Sequence, residues 1–222
     1  MPTALITGAN RGIGLELTRQ FKEAGYDLIA VCRQPSQALQ ALGVRIEKDV
    51  ELTERASLEN LAQRLGPVRL DLLVNNAGVL RPSSLDSIES QLDDFRLQYE
   101  VNALAPLRVT SILLPHLKDG GKVVIITSRM GSMGDNSSGG HYAYRMSKAA
   151  ANAGGVSLAH ELKKRSIAVG LLHPGYVRTE MTGLNGDIGP AESAAGLFQR
   201  IEELTLETTG RFRHANGETL PW

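Results

Sequence analysis

Short apolar runs alternate along this chain with longer stretches of helical period, and few folds accommodate that alternation. Thr3 to Thr7, Leu28 to Cys32, Val44 to Lys48, Leu70 to Val74, Val123 to Thr127 and Ala168 to Leu172 read as strands. Ile13 to Ala24, Thr53 to Leu65, Glu89 to Leu117, Tyr142 to Lys164 and Pro190 to Leu204 read as helices, the third broken near Asn102. Gly25 fits a C-terminal cap and Thr53 an N-cap. Strands separated by helices must return in the same direction, so the pattern predicts a parallel sheet covered on both faces. Phe212 falls in a last edge strand before an Asn216-Gly217 turn. The 222 residues suit one domain, residues 1–222, with no repeat, linker or room for a second.

The first strand runs into Thr7-Gly8-Ala9-Asn10-Arg11-Gly12-Ile13-Gly14, and a helix follows. Glycines there let the chain turn tightly and let phosphate oxygens approach. The helix start offers free N–H groups and a positive dipole end. That is the place of a dinucleotide pyrophosphate in a Rossmann-type doubly wound α/β domain, here with a mainly parallel seven-stranded sheet. The spacing Gly-x-x-x-Gly-x-Gly departs from the general dinucleotide fingerprint, and a glycine-rich surface turn is the bland alternative. No acidic residue closes the second strand to hold a free ribose hydroxyl; the chain reads Cys32-Arg33, and Asp27 stands at the strand's other end. Arg33 and Arg11 could both face a 2′-phosphate, which favours NADP(H) over NAD(H), unless both are solvated surface charges. Asp49 could accept from the adenine amino group and the Val50 N–H could donate to the ring. Asn75-Asn76-Ala77-Gly78 could pass close to the adenosine ribose and tie strand ends together, or be a plain turn cluster.

Tyr144-Arg145-Met146-Ser147-Lys148 places a phenol and an ammonium on one helix face. An ammonium favours the phenolate, and a tyrosine acidified from about 10 would exchange protons with carbonyl and alcohol oxygens. Tyr142 is the rival tyrosine, but no lysine stands four residues after it. Ser128 ends the fifth strand, where a hydroxyl could polarise a substrate carbonyl; Thr127 and Ser132 compete for that role. An amide at Asn102 could bend its helix and hold a water on a path to Lys148. Pro174 and Gly175 stop the sixth strand, and the backbone there, through Val177 to the Thr179 hydroxyl, could hold a nicotinamide carboxamide. His141 more simply lines a loop.

Composition closes other routes. The formal net charge is zero, so nothing marks a nucleic-acid-binding surface. Cys32 is the only cysteine, which excludes an internal disulfide and a thiolate metal set; no metal is expected. No apolar run reaches the roughly 20 residues of a spanning helix, and a strand begins almost at once where a signal peptide would lie, so a cytoplasmic protein is expected. The apolar face of the Tyr142 to Leu162 helix could pair with a second copy in a homodimer or be buried in the monomer.

As an ordered set, Thr7 to Gly14, Asp49, Asn75 to Gly78, Asn102, Ser128, Tyr144 with Lys148, and Pro174-Gly175 resemble the short-chain dehydrogenase/reductase family from Thr3 to about Thr182. Tyr142 to Lys148, Leu172 to Thr179 and the closing Leu220-Pro221-Trp222 are similar to its compact C-factor and sniffer-like carbonyl reductases. The resemblance implies an NADP(H)-dependent oxidoreductase acting on a small carbonyl or alcohol. It implies Tyr144 as general acid, Lys148 on the nicotinamide ribose lowering the Tyr144 pKa, Ser128 orienting the carbonyl and Asn102 completing a relay through water. Pro174 to Thr179 would fix the nicotinamide, and Gly8, Asn10, Arg11, Gly12, Ile13, Gly14, Arg33, Asp49, Val50, Asn76, Ala77 and Gly78 would hold the rest of the cofactor. C-factor likeness also implies an alternative, a dinucleotide-binding signalling or regulatory protein with little turnover. Two segments depart from the family: the Ser128–Tyr144 interval is longer, through Gly134 to Gly140, and the substrate flap, about residues 180–190, is short. Met181, Leu184 and Ile188 would cover the site from that flap, with hinges at Gly183, Gly186 and Gly189.

Overall fold

The computed structural model describes Met1–Trp222. Seven strands form one sheet in the order β3-β2-β1-β4-β5-β6-β7, and every pairing is parallel. They are β1 (Thr3–Thr7), β2 (Asp27–Val31), β3 (Arg45–Glu47), β4 (Leu70–Asn75), β5 (Leu117–Ile126), β6 (Ala168–His173) and β7 (Phe212–His214). The helices are α1 (Gly12–Glu23), α2 (Gln37–Ala41), α3 (Arg55–Leu65), α4 (Leu92–Tyr99), α5 (Ala105–Leu113), α6 (Tyr142–Leu162) and α7 (Pro190–Glu202).

The period-two alternation of the strands divides two cores. Ala4 and Ile6 of β1 face α1 and α7 through Leu17, Phe21, Ala194 and Leu197. Leu5 faces the other layer with Leu58 and Leu61 of α3, Val109 of α5 and Leu162 of α6. One face of α6 packs on its own sheet, where a Cβ added at Gly155 would run into Leu171. The helix after β4 is interrupted as its sequence suggested: a π turn, Glu100–Leu104, joins α4 to α5. Pro106 has no N–H for the Asn102 carbonyl four residues back, and Ala105 N–H bonds Glu100 O instead. Two details differ from expectation. Thr53 is not a cap, since α3 begins after Glu54, and the short α2 was not foreseen.

Strand order reverses between β1 and β4, which opens a crevice outside their carboxyl ends. Thr7 and Asn76 clasp it. The buried Thr7 hydroxyl accepts from Asn76 N at 3.1 Å and Ala77 N at 3.2 Å. The Asn76 amide donates to the carbonyls of Thr7 at 3.0 Å and Gly8 at 3.1 Å. Thr7→Val keeps the shape, deprives the Ala77 N–H of its acceptor and leaves the Asn76 N–H with only the Val74 carbonyl at 3.1 Å. Urea unfolding should show a loss of about 2 kcal/mol or more; an unchanged midpoint would mean that water replaces the hydroxyl.

Candidate active site

The crevice is built for close approach of a ligand. A Cβ on Gly8 would stand 2.9 Å from Ala77 Cα, and one on Gly14 would collide with the Gly8 carbonyl and the Asn76 amide. Only glycine allows this turn. Arg11 occupies the N-cap of α1 with no side-chain cap, and the first turn holds no acid. The opening N–H groups of α1 therefore lack a capping partner. A cofactor pyrophosphate fits that cradle by its charge and by the space the glycines leave.

Beyond the ends of β2 and β3 the chain places Arg33 and Asp49 on the surface, and Arg33 reaches Glu51 only loosely, at 3.9 Å. The Val50 N–H is taken by the Cys32 carbonyl at 3.3 Å. Arg11 is drawn the other way, into an ion pair with Glu180 across the crevice. The flap that carries Glu180 is a closed loop: Val177 and Ile188 form a bridge, and the Arg178 guanidinium donates to Gly186 O at 3.0 Å and Asp187 O at 2.7 Å. Met181 and Leu184 are exposed on it. Thr179 sets its methyl towards Gly12, 3.4 Å from where a Cβ would be, while its N–H donates to the Thr182 hydroxyl.

Beyond the crevice mouth stand Tyr144, Lys148, Ser128 and Asn102. Tyr144 and Lys148 are buried on α6, whereas Tyr142 is 37% exposed. Lys148 Nζ lies 5.7 Å from the centre of the Tyr144 ring and donates to Ile126 O at 2.9 Å, at the end of β5. Gly78 packs between Asn102 and the lysine; a Cβ there would stand 3.2 Å from Asn102 Oδ1 and 3.7 Å from Lys148 Nζ. The Asn102 side chain is fully engaged: Oδ1 accepts from Val79 N at 2.8 Å, and Nδ2 donates to Val79 O at 2.8 Å and Ser147 Oγ at 3.0 Å. A water on Asn102 would thus use the main-chain carbonyl that Pro106 leaves without its helical donor.

Of the three hydroxyls near the end of β5, two are committed. Thr127 donates to Asn152 Oδ1 at 2.7 Å and Ser132 to Trp222 O at 3.2 Å. Ser128 Oγ accepts from Met130 N at 3.1 Å, and its hydroxyl acts on the Tyr144 phenol rather than on a main-chain or amide oxygen. Its turn lies hard against α6, where a Cβ on Gly131 would come within 2.7 Å of the Lys148 backbone. The roles of Thr7, Ser147 and Asn152 were not foreseen; all three are short polar residues whose importance is visible only from their partners.

Within the protein alone, the groups around Tyr144 do not on balance acidify it. Burial pushes the phenol up to about 12, against a smaller opposing effect of the Ser128 hydroxyl. Burial also pushes Lys148 down to about 8. Removal from water is the leading cause for both groups, and the ammonium spends its hydrogen bond on Ile126 O.

His173, just before Pro174, is also buried, and its Nδ1 has no partner. It meets the His214 ring edge-on at 4.8 Å. Burial first, then His214, Arg129 and Lys148, hold it down to about 3.

The family profile described as short chain dehydrogenase matches residues 2–187. The chain is 44% identical over its whole length, and that of the relative, to a 1-hydroxy-2-glutathionyl-2-methyl-3-butene dehydrogenase of Rhodococcus. It is 43% identical to the C-signal of Myxococcus xanthus, over 71% of this chain and 94% of that one. The NADPH-bound carbonyl reductase from chicken fatty liver superposes with a TM-score of 0.90 at 30% identity, covering 100% of this chain and 99% of that one.

His173 has a consequence for stability. Its folded value lies below its ordinary 6.5, so the native chain binds fewer protons than the unfolded chain between the two. Stability is intact above pH 6.5 and falls as the pH drops towards 3. Between roughly pH 6.5 and 5 the wild type should lose up to about 1.4 kcal/mol per pH unit more than His173→Asn. Equal slopes in urea melts would show that this ring titrates normally. The match across most of the sequence and the whole fold makes the conclusion plain: the chain belongs to the short-chain dehydrogenase family and is an oxidoreductase.

Proposed function

We propose that the protein is an NADP(H)-dependent carbonyl reductase, interconverting an aldehyde or ketone with its alcohol. The observation that carries this reading is a buried phenol with a serine hydroxyl acting on it and a buried lysine, beside a glycine-lined, uncapped helix start. The NADPH held by the chicken carbonyl reductase supports the choice of cofactor, as does Arg33, loosely paired and open at the adenosine end.

When bound, the nicotinamide supplies the hydride. Tyr144, un-ionised at neutral pH, gives its proton to the substrate oxygen as negative charge develops there. Ser128, beside the phenol, turns its proton to the same oxygen. Lys148 holds a positive charge behind the phenol and favours the phenolate left after transfer. The Asn102 carbonyl offers a water a place from which to return a proton towards Lys148. In the reverse direction Tyr144 must first ionise, which a nearer ammonium would assist. The hydroxyl-bearing glutathionyl compound named for the Rhodococcus dehydrogenase makes thioether-substituted primary alcohols worth including with simple carbonyls. The C-signal relative supports a second reading, a dinucleotide-binding signalling protein with little turnover.

Tyr144→Phe should bind NADPH as the wild type does and lose turnover by a factor on the order of 100 or more. Full activity in that variant would refute the assignment, and binding without NADPH oxidation by the wild type across a broad panel of carbonyl compounds would decide for signalling. Arg33→Ala should weaken NADPH about tenfold and leave NADH unchanged. Equal effects on both would remove Arg33 from 2′-phosphate recognition.

A further inference from the structure

The mechanism makes no use of the closing Leu220-Pro221-Trp222, yet the structure ties this segment to the Ser128 turn. After β7 the chain reverses at Asn216 and Gly217: His214 N donates to Glu218 O at 2.8 Å and Leu220 N to Phe212 O at 2.9 Å. Leu220 is buried with Phe212, Leu171 and Ile125. Trp222 stacks on Phe212 with ring centres 5.6 Å apart. The stack delivers the Trp222 carbonyl to the segment after Ser128, where it accepts from Gly134 N at 2.7 Å and from the buried Ser132 hydroxyl at 3.2 Å. Ser132 Oγ in turn accepts from Asp135 N at 3.0 Å. A second tie runs from the same hairpin: Glu218 meets Arg129 at 2.6 Å, and Arg129 meets Asp135 at 3.1 Å.

These ties fix the near end of the loop that leads from Ser128 to Tyr144. Arg145 holds the far end, donating to Ser138 Oγ at 2.9 Å, Gly140 O at 3.2 Å and Gly139 O at 3.3 Å. Residues 135–142 between them are exposed. The loop thus flanks both proton-bearing groups and owes its shape to two side-chain anchors rather than to a packed core.

We propose that Trp222 is a positioning residue for the substrate side of the site: its stack on Phe212 holds the loop through Ser132 and Gly134, and so sets which carbonyl compounds reach Ser128 and Tyr144. This rests on the reductase reading. The cofactor crevice lies on other elements, so cofactor affinity should not depend on Trp222.

The test compares full-length Trp222→Ala, Trp222→Phe and Ser132→Ala with the wild type. Trp222→Ala should raise KM for carbonyl substrates about fivefold or more and reorder substrate preference, with NADPH affinity within about twofold. Amide exchange at Gly134 to Gly140 should quicken about tenfold, and Trp222→Phe, which keeps a stacking ring, should restore both. A folded Trp222→Ala with unchanged KM and exchange would overturn the proposal. So would KM and NADPH affinity worsening together, since the tail would then only support the fold. If Trp222→Ala does not fold, Ser132→Ala decides: a raised KM with unchanged NADPH affinity upholds the proposal and an unchanged KM overturns it. A wild type without turnover would refute the reductase reading instead, and the exchange of Gly134 in the variants would still decide whether Trp222 holds the loop.

Discussion

A phenol and an ammonium taken out of water together set the terms for the rest of the molecule. Tyr144 and Lys148 are both buried, and burial opposes the charged form of each. In the ligand-free chain that cost dominates, leaving the phenol pushed up to about 12 and the ammonium down to about 8. Such a pair persists only if the scaffold satisfies it. Ile126 O accepts from the ammonium, and Gly78 and Gly131 leave room where a side chain would press on the lysine or its backbone. At neutral pH the phenol is therefore un-ionised and the lysine still cationic. A group that entered the crevice and drew Lys148 towards the phenolic oxygen would shift both equilibria at once.

The frame that permits this follows from the parallel sheet. All strands end on one side, and the reversal between β1 and β4 leaves their ends without a covering crossover. Thr7 and Asn76 close the gap with hydrogen bonds instead of bulk, so the glycine turn before α1 can lie against Ala77. On the far side Asn102 pins Val79 to the π turn, and Ser83 accepts from Ala143 N at the start of α6. The site is thus held by buried polar ties between elements far apart in sequence, which is costly if any one is left unpaired.

Much of this was legible before any coordinates. The alternation of strand and helix periods gave the layers, the glycine spacing gave the first turn, and Tyr144 with Lys148 marked one helix face. Less regular elements escaped. The five residues of α2 bury only Leu39, too little for a period to register. Thr53 suits a cap by type, yet its N–H and hydroxyl both go to Glu51. Ser128, Thr127 and Ser132 were equivalent as letters; only their partners separate them. Spacing reports the proximity of Tyr144 and Lys148 and says nothing of the desolvation that raises the phenol. The apolar character of α6 left two readings open; Gly155 packs on Leu171 of the chain's own sheet, while Tyr142 and Met146 stay exposed.

The account turns on how the Tyr144 phenol ionises. Ultraviolet difference titration of the wild type against Tyr144→Phe, with and without NADP⁺, reads that ionisation directly. The ligand-free phenol should titrate well above the ordinary 10.0 and move down when the cofactor is added. A phenol that titrates at its ordinary value in the free protein, or is indifferent to cofactor, would contradict the electrostatic arrangement on which the mechanism stands.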